Sequence, residues 1–81
     1  MKIKVKEVYQ GVCPYCGECE AVYYDAPEMH SDNSVTVNAK CDNCGREFVE
    51  EYWLSFGGQW VQEEDSHWKF LEEGGSGEIE V

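Results

Sequence analysis

Cys13-Pro14-Tyr15-Cys16-Gly17 and Cys41-Asp42-Asn43-Cys44-Gly45 are two copies of one pattern, C-x-x-C-G, in a chain of 81 residues. Two cysteines three apart on a tight turn can both point at one ion, and backbone amides of the turn can donate to their thiolates. The glycine that follows permits the positive φ with which such a turn exits. Two such turns, brought face to face by the strands between them, form a tetrahedral site from Cys13, Cys16, Cys41 and Cys44. One C-x-x-C carries little information, whereas two, each followed by glycine, point to a metal. Disulfides or core thiols are the competing reading, and an odd count of 5 cysteines would leave one thiol over.

Outward from the cysteines the chain reads as strands. Valine and isoleucine number 11 and aromatics another 11, against 2 leucines and 3 alanines, a balance that favours sheet over helix bundle. Lys2–Lys6 alternates, with Ile3 and Val5 on one face, and Glu20–Tyr24 is a second candidate. Asp25–Asn33 is polar, carries Pro27 and reads as a loop. Ser34–Lys40 alternates with Val35, Val37 and Ala39 on one face. Arg46–Phe56 places Phe48, Tyr52, Leu54 and Phe56 at period two, with Glu50 as an interruption. Gly57-Gly58, ahead of Gln59-Trp60-Val61, carries a two-residue hairpin signal. Residues 63–73 fit a strand or a short helix: Trp68 and Leu71 have helical spacing, but Glu72 and Glu73 would sit at the wrong end of a helix dipole. The expected fold is mainly β and antiparallel, closing in a C-terminal hairpin or short helix. Residues 1–73 form one domain with an aromatic, acidic C-terminal extension. Residues 74–81 form a flexible Gly/Ser-rich tail, frayed unless Glu78–Val81 finds an edge to pair with.

With both knuckles and the flanking strands in view, residues 3–56 resemble the zinc-ribbon family of small Cys₄ proteins. The resemblance rests on Cys13-Pro14-x-Cys16-Gly17 and Cys41-x-x-Cys44-Gly45. It implies one structural Zn²⁺ held by Cys13, Cys16, Cys41 and Cys44. It implies little about function, because zinc ribbons occur in transcription factors, polymerase subunits, ribosomal proteins and enzyme accessory domains. Four protein ligands fill the tetrahedron and leave no position for a reacting water, so a catalytic zinc is not expected. Rubredoxin is the alternative family: small, acidic and aromatic-rich, with the same two knuckles around iron and a role in electron transfer. Here, however, the proline lies in the first knuckle rather than the second. Cys-Pro-Tyr-Cys also resembles the glutaredoxin motif, but no helix begins after it and the second C-x-x-C-G would be left unexplained.

Charge narrows the partner class. Seventeen acidic residues against six basic ones leave a net charge of −11, and four thiolates with Zn²⁺ make the fold more negative still. Binding along a phosphate backbone needs several cations on one face, so nucleic acid and anionic membranes are both disfavoured. No apolar run is long enough to cross a membrane as a helix, and the lysine-rich start beginning at Met1 does not read as a secretory leader, which points to the cytoplasm. The expected role is non-enzymatic: an interaction or regulatory module docking on a basic protein surface, one version being an acidic mimic of nucleic acid. Trp53, Trp60 and Trp68 either build the core the ribbon lacks or form an exposed patch with hot-spot anchors for that partner. Cys19 is a bystander thiol, and His30 and His67 are surface residues rather than ligands. No nucleophile–base pair or phosphate loop stands out.

Overall fold

The computed structural model describes residues 2–81, so residue 1 lies outside it. Eight strands and no helix make up the described residues. They are β1 (Lys2–Val5), β2 (Val22–Tyr24), β3 (Glu28–Met29), β4 (Val35–Cys41), β5 (Glu47–Tyr52), β6 (Phe56–Gln62), β7 (Trp68–Glu72) and β8 (Gly77–Glu80). Strands β2-β4-β5-β6-β7 form an antiparallel sheet in that order, with β3 also paired to β4, while β1 and β8 form a separate antiparallel ribbon.

The alternation that marks the strands also sorts their side chains. On β4, Ala39 and Cys41 point inward, and on β5 Phe48 and Glu50 do; Gln59 and Val61 of β6 and Leu71 of β7 continue that buried face. The N-terminal segment crosses this face, adding Val5, Val8, Cys13 and Tyr15, and Ile79 of β8 closes the cluster. Burying a side chain such as Phe48 contributes about 1.5–3 kcal/mol, and few residues here contribute at that level.

Three local expectations change. Gly57-Gly58 is not the hairpin turn; both residues lie within β6, and the chain reverses at Trp53-Leu54-Ser55, where Trp53 N donates to Ser55 O at 3.1 Å. The glycines serve packing instead. A Cβ on Gly57 would come within 2.9 Å of the Trp53 ring, and one on Gly58 would strike the Leu71 carbonyl and the Phe70 ring. Residues 63–73, open between strand and helix, resolve into a turn and β7, which forms a hairpin with β6. The reading of 74–81 as a flexible tail is also corrected: Gly77–Glu80 pairs with Lys2–Val5, Ile3 opposite Ile79, and Ile79 is fully buried. The K-I-K-V edge of β1 would otherwise be unpaired, and E-I-E supplies both its hydrogen bonds and opposite charges. Lys2 Nζ lies 3.7 Å from Glu78 and 3.9 Å from Glu80. Within the polar loop at 25–33, Glu28 and Met29 form the short β3.

Candidate metal centre

Each knuckle is built the same way. Cys13 N donates to Glu18 O at 2.9 Å and Gly17 N to Cys13 O at 2.8 Å; in the second copy Cys41 N donates to Arg46 O at 3.0 Å and Gly45 N to Cys41 O at 2.7 Å. Gly17 and Gly45 take φ of 79° and 75°, the left-handed conformation in which a side chain is disfavoured. The second knuckle is anchored by β4, which ends at Cys41, and by β5, which begins at Glu47. The first has no strand leading directly into it and is held by Tyr15. That ring is buried under Arg46, with the guanidinium 5.5 Å from its centroid, and the hydroxyl donates to Glu47 O at 2.9 Å while accepting from Gln62 N at 2.8 Å. Two strands of the sheet thus position the opposite knuckle through one phenol.

Removing that hydroxyl tests the anchor. Tyr15→Phe is expected to cost about 1–3 kcal/mol, because two part-buried hydrogen bonds, to Glu47 O and from Gln62 N, are lost together. Urea denaturation reads the loss, with bound zinc staying at one per chain; an unchanged midpoint would show that the hydroxyl does not hold the knuckle.

The two knuckles bring Cys13, Cys16, Cys41 and Cys44 together, with all four sulfurs within 4.8 Å of one another. Cys13 Sγ lies 3.7 Å from Cys44 Sγ, and Cys16 Sγ lies 3.6 Å from Cys41 Sγ. A tetrahedron with metal–sulfur bonds of about 2.3 Å has edges of about 3.8 Å, so the donor set fits a thiolate-bound ion. None of these cysteines forms a disulfide. The sulfurs sit in a graded environment. Burial pushes the Cys13 thiol well up, against the pull of the Cys16 and Tyr15 amides. Burial likewise raises Cys44, opposed by the Arg46 amide. At Cys16 burial also opposes ionisation, but the Asn43 side chain, 3.5 Å away, and the Glu18 amide outweigh it and draw the thiol down to about 7. A cation among the four sulfurs would offset the desolvation that raises Cys13 and Cys44 and so favour their thiolate forms. Zn²⁺, when bound, would supply that charge and cross-link the two knuckles. With four sulfur ligands it offers no position for substrate.

The remaining candidates lie elsewhere. Cys19 is exposed and outside the cluster. His30 Nε2 sits 2.8 Å from Thr36 Oγ1, and His67 Nδ1 is 2.6 Å from Asp65 Oδ2 in the turn before β7. The tryptophans lie on the sheet's outer face. Val49, Trp60 and Phe70 are direct cross-strand neighbours there, opposite to the buried Glu50, Gln59 and Leu71. Trp60 packs on Phe70 at 5.1 Å between centroids and Trp53 on Phe70 at 6.5 Å. Trp53 is 53% exposed, Trp68 47%, and Leu54 is fully exposed at the turn. Core building therefore falls to Phe48 and Tyr15, not to the tryptophans.

Two roles were not legible from motifs. Asn43, an unremarkable knuckle residue, donates to Cys16. Glu50, which interrupts the β5 alternation, is wholly buried and gathers hydrogen bonds from Gly11 N at 2.8 Å, Gln59 Nε2 at 3.0 Å and Tyr52 OH at 2.9 Å. The signal was present: a carboxylate at an inward position of a strand needs donors, and Tyr52 two residues on in β5, Gln59 in the adjacent β6 and Tyr24 in β2 can supply them.

Comparison with known proteins agrees with the site. The family model described as transcription factor S-II (TFIIS), a zinc ribbon, matches residues 12–49, which contain all four clustered cysteines. No curated protein sequence and no solved structure gave a significant match to the chain. The family match and the four-cysteine cluster fit a zinc-ribbon family and support one structural Zn²⁺. The family match, rather than the S₄ donor set that rubredoxins share, favours zinc over the rubredoxin alternative.

Proposed function

From the premise that this chain carries a zinc ribbon, we propose that it is a non-enzymatic interaction module that docks on a basic protein surface. Zinc ribbons are typically non-catalytic, and a closed S₄ site has no vacancy at which substrate could be activated. The observation that carries the reading is the outer face of the sheet: Trp53, Leu54, Trp60, Trp68 and Phe70 share it or its turn with no layer packed over them. Two exposed tryptophans, Trp53 and Trp68, beside the half-buried Trp60 and Phe70 suit a protein interface. The charge of −11 selects the partner's sign, disfavouring nucleic acid and a second copy of the same chain. The metal's part is indirect: it holds the sheet that presents the face.

Affinity capture with the zinc-loaded protein, eluted along a salt gradient, tests this. Basic proteins should be recovered, released by moderate salt and lost with Trp68→Ala. Recovery of acidic proteins alone, or binding indifferent to salt, would overturn the basic-partner reading.

A further inference from the structure

A cleft of about 370 Å³ opens on the outer face of the sheet, lined among others by Tyr23 and Asp25 on the β2 side, Lys40 of β4, Glu47 and Val49 of β5, and Trp68 of β7. Tyr23 is 61% exposed and Trp68 47%, so two aromatic rings flank a shared space. Register places Tyr23 opposite Lys40 and Lys40 opposite Glu47, on the same face as Val49. Two carboxylates and one ammonium thus border the cleft, a local surplus of one negative charge. No ion pair at salt-bridge distance joins Lys40 to either carboxylate among the described residues.

We propose that this cleft receives an arginine side chain of the basic partner. The inference rests on the interaction-module reading above and names the contact within it. A guanidinium is planar, so it can stack on the face of Trp68 or Tyr23 while its fork of N–H donors engages Glu47 and Asp25. It also neutralises the surplus charge. A lysine ammonium lacks the plane for stacking and the fork for a bidentate contact. A phosphate would bring negative charge against two carboxylates with one lysine to offset them. A second copy of this chain would bring another strongly acidic surface.

Amide shifts of the isotopically labelled, zinc-loaded protein, titrated with a short arginine–serine peptide, test the assignment; lysine–serine and glutamate–serine peptides of equal length serve as controls. Shifts should concentrate at Tyr23, Asp25, Lys40, Glu47 and the Trp68 indole N–H, with the lysine peptide weaker and the glutamate peptide inert. Trp68→Ala and Glu47→Gln should each weaken arginine-peptide binding about tenfold. Both side chains are exposed, and an unchanged zinc content and melt show that the fold is retained. Arginine-peptide shifts away from the cleft, unaffected by these variants, or equal binding of the lysine peptide, would overturn the cleft assignment while leaving the basic-partner reading in place. Binding of neither cationic peptide would overturn both.

Discussion

Stripping the zinc with a chelator under reducing conditions is expected to abolish the cooperative thermal transition and leave the chain unfolded or molten. The size of the effect follows from what the core contains. Cys13 and Cys41 are themselves among its most buried members, so the metal site and the hydrophobic cluster are one structure. Structural zinc binding contributes about 10–16 kcal/mol, whereas small domains retain only about 5–15 kcal/mol of net stability. Without the ion, the first knuckle is fastened to the sheet by Tyr15 and by the contacts of residues 8–12, and the buried sulfurs lose the charge that compensates their desolvation. Cys41→Ser should behave like the chelated protein, and Cys19→Ser like the unaltered one, because Cys19 lies outside the cluster. Calorimetry paired with a colorimetric zinc assay makes the measurement. A sample verified as metal-free that still melts sharply would show that the apolar core suffices alone.

Legibility from sequence followed the range of the interaction. Knuckle chemistry is local: C-x-x-C-G specifies its own turn, and the paired copies identify each other across residues 18–40. The β4 and β5 strands were legible because their inward positions repeat at period two. What sequence left hidden depends on pairing between distant segments. Residues Gly77–Glu80 look like the end of a flexible linker until β1 is known to lack a partner. Gly57-Gly58 has the composition of a hairpin turn, and only the rings of Trp53 and Phe70 explain why glycine is needed inside a strand. Tyr15 reads as the variable position of a knuckle, although its hydroxyl bridges β5 and β6. Glu50 breaks a pattern locally and completes a network globally. In each case a polar or small residue that lowers local regularity is required by a partner more than 10 residues away or in another element.

Replacing Glu50 is expected to be the most damaging change outside the zinc site. Its carboxylate accepts from Gly11 N, Gln59 Nε2 and Tyr52 OH, with the Tyr24 hydroxyl against it, and so ties the N-terminal segment to β5, β6 and β2. Glu50→Ala should cost about 3–5 kcal/mol, through the cavity left behind and a Gly11 amide without an acceptor. Glu50→Gln keeps the volume but turns one end of the group into a donor facing donors, so a loss of about 1–3 kcal/mol is expected. Urea midpoints at neutral pH read both; a Glu50→Ala variant within about 0.5 kcal/mol of the parent would show that the network adds nothing. Alkali tests the same cluster from the other side. Burial, and then the hydrogen bond and charge of Glu50, hold Tyr52 up to about 12, and burial with Glu50 raises Tyr24 as well. An unfolded tyrosine titrates near 10, so in this window the native state keeps protons that the unfolded state has released. Stability contributed by the phenols is therefore complete below about pH 10 and is lost as the pH climbs towards 12. In Glu50→Gln the negative charge that opposes phenolate formation is gone, so both tyrosines should move back towards 10 and the alkaline loss should become shallower. An alkaline slope that is the same in parent and variant would mean that Glu50 is not what keeps these phenols protonated.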